Sequence, residues 1–332
     1  MRGPKALPKH RASRIRREKL AVVAVCLVIA LPSCGRQEPG PEAALRTSPP
    51  PASPSPAAET APPSTDPSPE GSPGPASEAT RTPPGPGAGR TREELPPLED
   101  AGSVGRALAA VESAIRSPST PPGELPSLGR AQQAAYRKLV VEQGWRPEAL
   151  AQLPPELVAI AEANIEAGAQ TYALSRPVTK LPAWRIVEPP PADELRRYYQ
   201  EAQAEFGIRW EYLAAIHLVE TRMGRIRGTS PAGAQGPMQF IPSTWARFGR
   251  GDINNPRDAI LAAGRYLRAS GAPGNMGRAL YAYNPSQRYV RAITLYAEQM
   301  IRDERTYLGY YHWQVYVRTT TGDVLLEVGY GS

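Results

Sequence analysis

Apolar residues recur every three or four positions in several stretches of the chain, which is the spacing of one helix face. This spacing, or an apolar or Ala-rich composition, predicts seven helices: 104–115, 130–143, a segment starting at Pro155, 193–207, 210–222, 258–269 and 286–302. In the fourth, Asp193 is placed to cap the helix and Gly207 to end it. Residues 315–328 change to β-rich composition around a Thr-Gly-Asp turn and predict a hairpin. The pattern therefore predicts a mainly α fold with a short C-terminal β-hairpin.

The stretch 210–222 differs from the others because it has no polar stripe, which is typical of a buried helix. Glu220 ends its apolar run. Burying a carboxylate costs several kcal/mol or raises its pKa. Glu220 is therefore a candidate catalytic acid. Two structural interpretations stay open, namely pairing with Arg222 or Arg225, or a helix end that emerges into solvent.

The N-terminus has the features of an export signal. Eight basic residues and one acid lie in residues 1–19, twelve apolar residues follow at 20–31, and Cys34 comes three positions later. Twelve apolar residues are too few to span a bilayer comfortably. Leu31-Pro-Ser-Cys34 resembles a bacterial lipobox, with Pro32 departing from the usual residue. We predict a lipoprotein signal peptide at 1–33, with lipid attached to Cys34 and an anchor in the membrane.

A proline-rich segment follows the signal and predicts a tether. Residues 35–97 contain 18 prolines and no aromatic residue, so they cannot bury enough apolar surface to offset their chain entropy. We predict a disordered tether at 34–100, a helical module at 101–188 and a further domain at 189–332. All 23 aromatic residues lie at or after Tyr136, which places the predicted core there.

Charge and composition exclude several functions. The formal net charge of +7 lies in the export signal, because residues 34–332 hold 31 basic and 31 acidic residues. The charge therefore gives no support for nucleic-acid binding. Two cysteines and three histidines cannot build a zinc site of three or four cysteines or a framework of several disulfides. We expect no metal and no cofactor.

Two further motifs accompany Glu220. Residues 230–242 form a small-residue loop that runs from Ser230 to Gln239 and an apolar pair, and glycines there let a backbone approach a ligand closely. Residues 280–284 place Tyr281, Tyr283 and Asn284 together. Aromatic faces and amides suit a sugar polymer, although each motif alone is weak.

Together and in this order, the three motifs resemble the lytic transglycosylases of bacterial cell walls. Residues 219–225, Val-Glu-Thr-Arg-Met-Gly-Arg, are similar to the motif of the membrane-bound B type. Residues 230–239 and 281–284 resemble motifs of the soluble type, with Pro237 and the Pro-Ser after Asn284 as departures. The resemblance covers about 193–303 and implies a lysozyme-like catalytic domain.

The resemblance also implies a mechanism that needs one carboxylate. Glu220 would protonate the bond between N-acetylmuramic acid and N-acetylglucosamine, then take the proton of the muramyl 6-hydroxyl and leave a 1,6-anhydro end. Ser230, Gln239, Tyr283 and Asn284 would line the cleft, and Tyr289 would do so unless it belongs to its own helix core. The implied partner is peptidoglycan, at the outer face of the cytoplasmic membrane.

Two alternatives remain open at this point. A goose-type-like lysozyme would hydrolyse the same bond with a second carboxylate, for which Asp252 is the candidate, although a turn role suits it better. A non-catalytic wall-binding lipoprotein would leave Glu220 without a chemical role. His217, one turn before Glu220, is expected to be a packed core histidine, with a supporting role at the site as the alternative.

Overall fold

The computed structural model describes residues 98–332 of the chain. The predicted signal peptide, Cys34 and nearly all of the predicted tether lie outside these residues. Within 98–332 the fold is mainly α, as the apolar pattern predicts, and no helix there is both long and apolar enough to cross a membrane.

The helices of the predicted helical module are α1 (Ala101–Arg116), α2 (Leu125–Val141), α3 (Arg146–Leu150) and α4 (Pro155–Leu174). Asp100 and Ser103 form a capping box at the start of α1, which satisfies two free backbone N–H groups. Pro155 begins α4, where its missing N–H costs nothing.

The following helices are α5 (Ala192–Phe206), α6 (Trp210–Thr221), α7 (Pro242–Phe248), α8 (Pro256–Ala269), α9 (Met276–Tyr283), α10 (Gln287–Arg302) and α11 (Thr306–Tyr311). The predicted Asp193 cap is wrong, because α5 begins at Ala192 with Pro191 at the N-cap. Asp193 lies in the first turn, where a negative charge still favours the helix dipole. Gly207 ends the helix at φ 70°, as predicted.

Two antiparallel strand pairs complete the described fold. Strand β1 (Arg185–Ile186) pairs with β2 (Ile226–Arg227), so the segment before α5 is hydrogen-bonded to the segment after α6. Strands β3 (Val315–Thr319) and β4 (Gly322–Leu326) form the C-terminal hairpin, which confirms the predicted hairpin with the turn slightly earlier than expected.

The main apolar core includes residues from both sides of the predicted boundary at 188. Helix α4 packs against α10, and α2 against α11. Buried polar bonds join the same parts, because Tyr310 donates to Asn164 and the Trp313 indole donates to Gln132 at 2.9 Å. The division into 101–188 and 189–332 stays a prediction, and the two segments share one core.

Candidate active site

Helix α6 carries the candidate acid at its C-terminal end. Eleven of its twelve residues are buried, because apolar side chains occupy nearly every face of the helix. Glu220 is 2% exposed, so the helix does not emerge into solvent at this position. The acid is therefore held on a rigid buried element rather than on a loop.

The chain reverses direction immediately after this acid. Arg222, Met223 and Gly224 have φ values of 54°, 60° and 86°, three consecutive left-handed residues of which two are not glycine. Non-glycine residues rarely adopt this conformation, and such strain concentrates at functional sites. The N–H groups of Arg222 and Met223 donate to the carbonyls of Leu218 and His217, which closes the helix end.

One hydroxyl contacts the Glu220 carboxylate. Tyr289, fully buried on α10, donates its O–H to Oε1 at 2.9 Å, whereas Oε2 has no hydrogen-bond partner among residues 98–332. Burial raises the pKa of Glu220 to about 8, and the Tyr289 hydrogen bond opposes part of that shift. The group is therefore protonated at neutral pH and can donate a proton.

A second tyrosine lies beside the first. The rings of Tyr283 and Tyr289 are parallel, with centroids 6.3 Å apart. The Tyr283 hydroxyl donates to the carbonyl of Met238 at 2.6 Å. Burial raises the pKa of Tyr283, and the nearby charge of Glu220 adds to the shift. Helix α9 therefore brings Tyr283 to the acid and also fixes it to the loop before α7.

Thr221 ties that loop to the end of α6. Its hydroxyl donates to the carbonyl of Pro237 at 2.6 Å and accepts the N–H of Gly224 at 3.1 Å. Thr221, next to Glu220, thereby holds both the left-handed turn at 222–224 and the small-residue loop at 230–242. The motif containing Thr221 was recognised in the sequence, but this connecting role was missed because it depends on a contact 16 residues away.

The predicted side chains of the loop bind the loop itself. Ser230 Oγ accepts the N–H of Ala234 at 3.0 Å, and Gln239 Nε2 donates to the carbonyl of Gly236 at 2.9 Å. A Cβ added at Gly236, where φ is 73°, would lie 2.0 Å from the carbonyl oxygen of Ile253. The loop conformation is therefore set by these contacts and by the lack of a side chain at Gly236.

Asn284 ends α9 and is 5% exposed. Its N–H donates to the carbonyl of Leu280, and its own carbonyl accepts the N–H of Ser286 at 2.7 Å. Of the predicted site residues, the structure brings Tyr289 and Tyr283 to Glu220, whereas the side chains of Ser230 and Gln239 bind the backbone of their own loop. The substrate-binding roles stay predictions.

The predicted alternative partners of Glu220 bind other groups. Arg225 is buried and donates to the carbonyls of Trp313 and Tyr311, each at 3.1 Å. Arg222 donates to the carbonyl of Leu218 at 2.6 Å. Burial and the Tyr289 bond, rather than an arginine, dominate the environment of the carboxylate.

The two other polar candidates occupy structural positions. His217 is fully buried and its Nδ1 lies 2.7 Å from the Tyr199 hydroxyl. Burial lowers the pKa of His217 to about 3, so the ring is neutral. Asp252 is exposed, and its Oδ1 accepts the N–H of Asn254 at 2.9 Å, which is a turn role.

Comparison with known proteins agrees with the motif resemblance. Residues 197–302 match the family model of the transglycosylase SLT domain, and this range contains Glu220 and all the predicted substrate-binding residues. The match confirms the predicted resemblance to lytic transglycosylases for this part of the chain.

Curated relatives point to the same family. The chain is 38% identical over 102 residues, covering 28% of itself and 22% of the relative, to a membrane-bound lytic murein transglycosylase F of Thiobacillus denitrificans. It is 28% identical over 147 residues, covering 38% of itself and 30% of the relative, to a membrane-bound lytic murein transglycosylase F 1 of Alkalilimnicola ehrlichii. The chain thus spans less than a third of either relative. No solved structure gives a significant match.

Proposed function

We propose that the chain, whose residues 197–302 match the family model of the transglycosylase SLT domain, is a peptidoglycan lytic transglycosylase with Glu220 as its catalytic acid and base. The observation that carries the proposal is the state of this carboxyl group. It is buried, holds one hydrogen bond, and has a pKa raised to about 8. These are the properties of a group that must donate a proton at neutral pH.

The reaction divides into two proton transfers at this one group. Protonated Glu220 donates to the glycosidic oxygen between N-acetylmuramic acid and N-acetylglucosamine as the bond to the anomeric carbon breaks. The carboxylate then accepts the proton of the muramyl 6-hydroxyl, whose oxygen closes on the anomeric carbon. The products are a free N-acetylglucosamine hydroxyl and a 1,6-anhydro end, with no water consumed and Glu220 protonated again.

Tyr289 assists both steps because its O–H bonds to Oε1 and holds the carboxyl orientation. Oε2, which has no partner within 98–332, is the oxygen available to exchange a proton with substrate. We assign the lining of the cleft to Tyr283, Asn284 and the loop that carries Ser230 and Gln239.

The proposal also covers location. The curated relatives are named membrane-bound, and Cys34 follows a lipobox-like sequence. We propose that the chain is exported and held by a lipid on Cys34 at the outer face of the cytoplasmic membrane, where it remodels the wall. Incorporation of a labelled fatty acid by the wild type and not by Cys34→Ser would support this; equal labelling would contradict it.

The experiment that tests the chemistry is mass spectrometry of the products released from peptidoglycan by the full chain. Anhydro ends from the wild type, and none from Glu220→Gln, are expected. Reducing ends would instead indicate a lysozyme, which needs a second carboxylate about 5–5.5 or 6.5–9.5 Å from the first. Products from neither protein, with retained binding to peptidoglycan, would indicate a wall-binding protein.

A further inference from the structure

A pocket outside the acid site lies where α2 and α4 meet α6, α10 and the C-terminal hairpin. Its cavity volume is about 70 Å³, which is enough for a small polar group. Helices α2 and α4 and both hairpin strands supply most of its lining. Val219, Arg222 and Tyr296 are the lining residues that come from the matched segment 197–302. The pocket is therefore largely made by parts of this chain outside the shared domain.

The pocket has an excess of positive charge. Arg137, Arg222 and Arg318 line it, and Asp323 is the one carboxylate among the described lining residues. Asp323 forms an ion pair with Arg137. Burial raises the pKa of Tyr296, while the positive charges of Arg222 and Arg137 oppose the shift, so both guanidinium groups act on the same interior hydroxyl.

Arg318 is held in place without a carboxylate among residues 98–332. Its guanidinium lies 4.1 Å from the centroid of the Tyr172 ring and donates to the carbonyl of Ser175 at 3.1 Å. Contacts with a ring face and backbone carbonyls orient the guanidinium group, and Asp323, which lies opposite Arg318 in the hairpin register, forms its ion pair with Arg137 instead. A concave pocket lined by such groups attracts anions.

The pocket is close to the reacting group. Val219 and Arg222 lie within two residues of Glu220 on the chain. Tyr296 follows Tyr289 by seven residues on the same helix, about 10 Å along the axis.

We propose that this pocket binds a carboxylate of the peptide carried by the glycan strand, so that the enzyme prefers peptide-bearing to peptide-free strands. The inference rests on the proposed function for its substrate. A guanidinium group matches the planar carboxylate with two parallel hydrogen bonds, which suits a small site. The pocket thereby gives the helical module and the hairpin a part in substrate choice.

The first experiment measures binding in a variant that lacks the catalytic acid, so the result does not depend on turnover. Isothermal titration calorimetry on the full chain carrying Glu220→Gln compares a synthetic stem peptide as free acid, the same peptide amidated, and inorganic phosphate. The free acid should bind about tenfold more tightly than the amide, the effect of one charge-assisted hydrogen bond. Equal binding of acid and amide, or binding of neither, overturns the proposal, as does phosphate competing as well as the peptide.

Three substitutions in the same background locate the site. Arg318→Gln should weaken binding of the free acid about tenfold, Arg318→Lys should restore part of it, and Asp323→Asn should strengthen it by removing the competing carboxylate. Arg291→Gln is the matched control, because Arg291 pairs with Glu166 on the surface between α10 and α4 and does not line the pocket. Unchanged affinity in Arg318→Gln, with an unchanged thermal unfolding curve, overturns the proposal.

Activity gives the second readout. The ratio of kcat/KM for peptide-bearing strands to that for peptide-free strands should fall about tenfold in Arg318→Gln, mainly through KM, and stay at the wild-type value in Arg291→Gln. An unchanged ratio in Arg318→Gln overturns the proposal. Absence of turnover on both substrates by the wild type would contradict the proposed function. Calorimetry would still show whether the pocket binds the peptide carboxylate.

Discussion

Two buried acidic side chains, Glu112 on α1 and Glu220 on α6, differ in how many partners their carboxyl oxygens have. Glu112 is 0% exposed, and both of its oxygens have partners. Oε1 accepts from Gln132 at 3.0 Å and from the Tyr136 hydroxyl, while Oε2 forms an ion pair with Arg116. Glu220 is as deeply buried but holds one hydrogen bond and leaves Oε2 without a partner within 98–332.

The difference separates a structural charge from a reactive one. A buried carboxylate with an arginine, an amide and a hydroxyl around it has its desolvation cost offset, and it holds α1 to α2. A buried carboxyl group with one hydroxyl has no such compensation, so its pKa rises and it stays protonated at neutral pH. Burial alone therefore does not distinguish a catalytic acid from a structural carboxylate. Burial together with incomplete hydrogen bonding of the carboxyl group does distinguish them here.

The largest expected effect is on turnover. Glu220→Gln keeps the side-chain volume and can still accept the Tyr289 hydrogen bond, but it cannot exchange a proton. We expect the rate of peptidoglycan cleavage to fall by about 10³-fold or more, within the range for general acid–base groups. Release of soluble muropeptides by the full chain measures the change. Glu112→Gln is the matched control, assayed well below its unfolding temperature, and an equal loss in both variants would contradict the contrast.

Glu112→Gln should have the opposite signature, a loss of stability. The substitution removes the buried carboxylate that pairs with Arg116 and leaves Asp303, whose Oδ2 lies 3.6 Å from Arg116 Nε, as the remaining counter-charge. Because Asp303 still offsets part of the Arg116 charge, we expect a loss of about 1–3 kcal/mol, the cost of leaving buried hydrogen-bonding groups without a partner. Urea unfolding followed by circular dichroism should show this fall in the free energy of unfolding. A decrease below about 1 kcal/mol, the level of an exposed pair, would mean that solvent reaches Arg116.

The raised pKa of Glu220 should also make the free energy of unfolding depend on pH. Because the pKa of Glu220 is about 8 in the folded chain and near 4.5 in the unfolded chain, the folded state binds more protons between these values. The Glu220 contribution to stability is therefore complete below about pH 4.5 and is lost as pH rises to 8, by about 1.4 kcal/mol per unit. Subtracting the curve of Glu220→Gln from that of the wild type isolates this slope, and a flat difference would refute the raised pKa.

Much of the fold is visible in the sequence because long helices show their period. The helix 210–222, the glycine stop at Gly207 and the C-terminal hairpin were all predicted. Helices α3, α7, α9 and α11 were missed, since five to eight residues span too few turns to show a repeating apolar face. The shared core across residue 188 was also not predicted, because it depends on contacts between α4 and α10 that lie far apart in sequence.

For the candidate site, the sequence predicts the acid but not the contacts that surround it. An acid at the end of an apolar helix marks Glu220 without any structure. Tyr289 could not be assigned, since a tyrosine on an apolar helix face serves the core equally well, and only a contact 69 residues away decides between these roles. For Ser230 and Gln239 the sequence indicates a loop near a ligand but not that their side chains bind the loop backbone.

The smallest expected effect tests the single hydrogen bond that distinguishes Glu220 from a wholly unpartnered acid. Tyr289→Phe removes a donor that stabilises the ionised carboxylate, so the pKa of Glu220 should rise further and the alkaline limb of the pH–rate profile should move to higher pH. A shift of about one unit is expected, with kcat lowered up to about tenfold as the carboxyl group loses its orientation. Tyr283→Phe is the matched control, because its hydroxyl bonds to the Met238 carbonyl and not to Glu220. A limb that moves to lower pH in Tyr289→Phe, or moves equally in both variants, would mean that this hydrogen bond does not set the proton affinity of the acid.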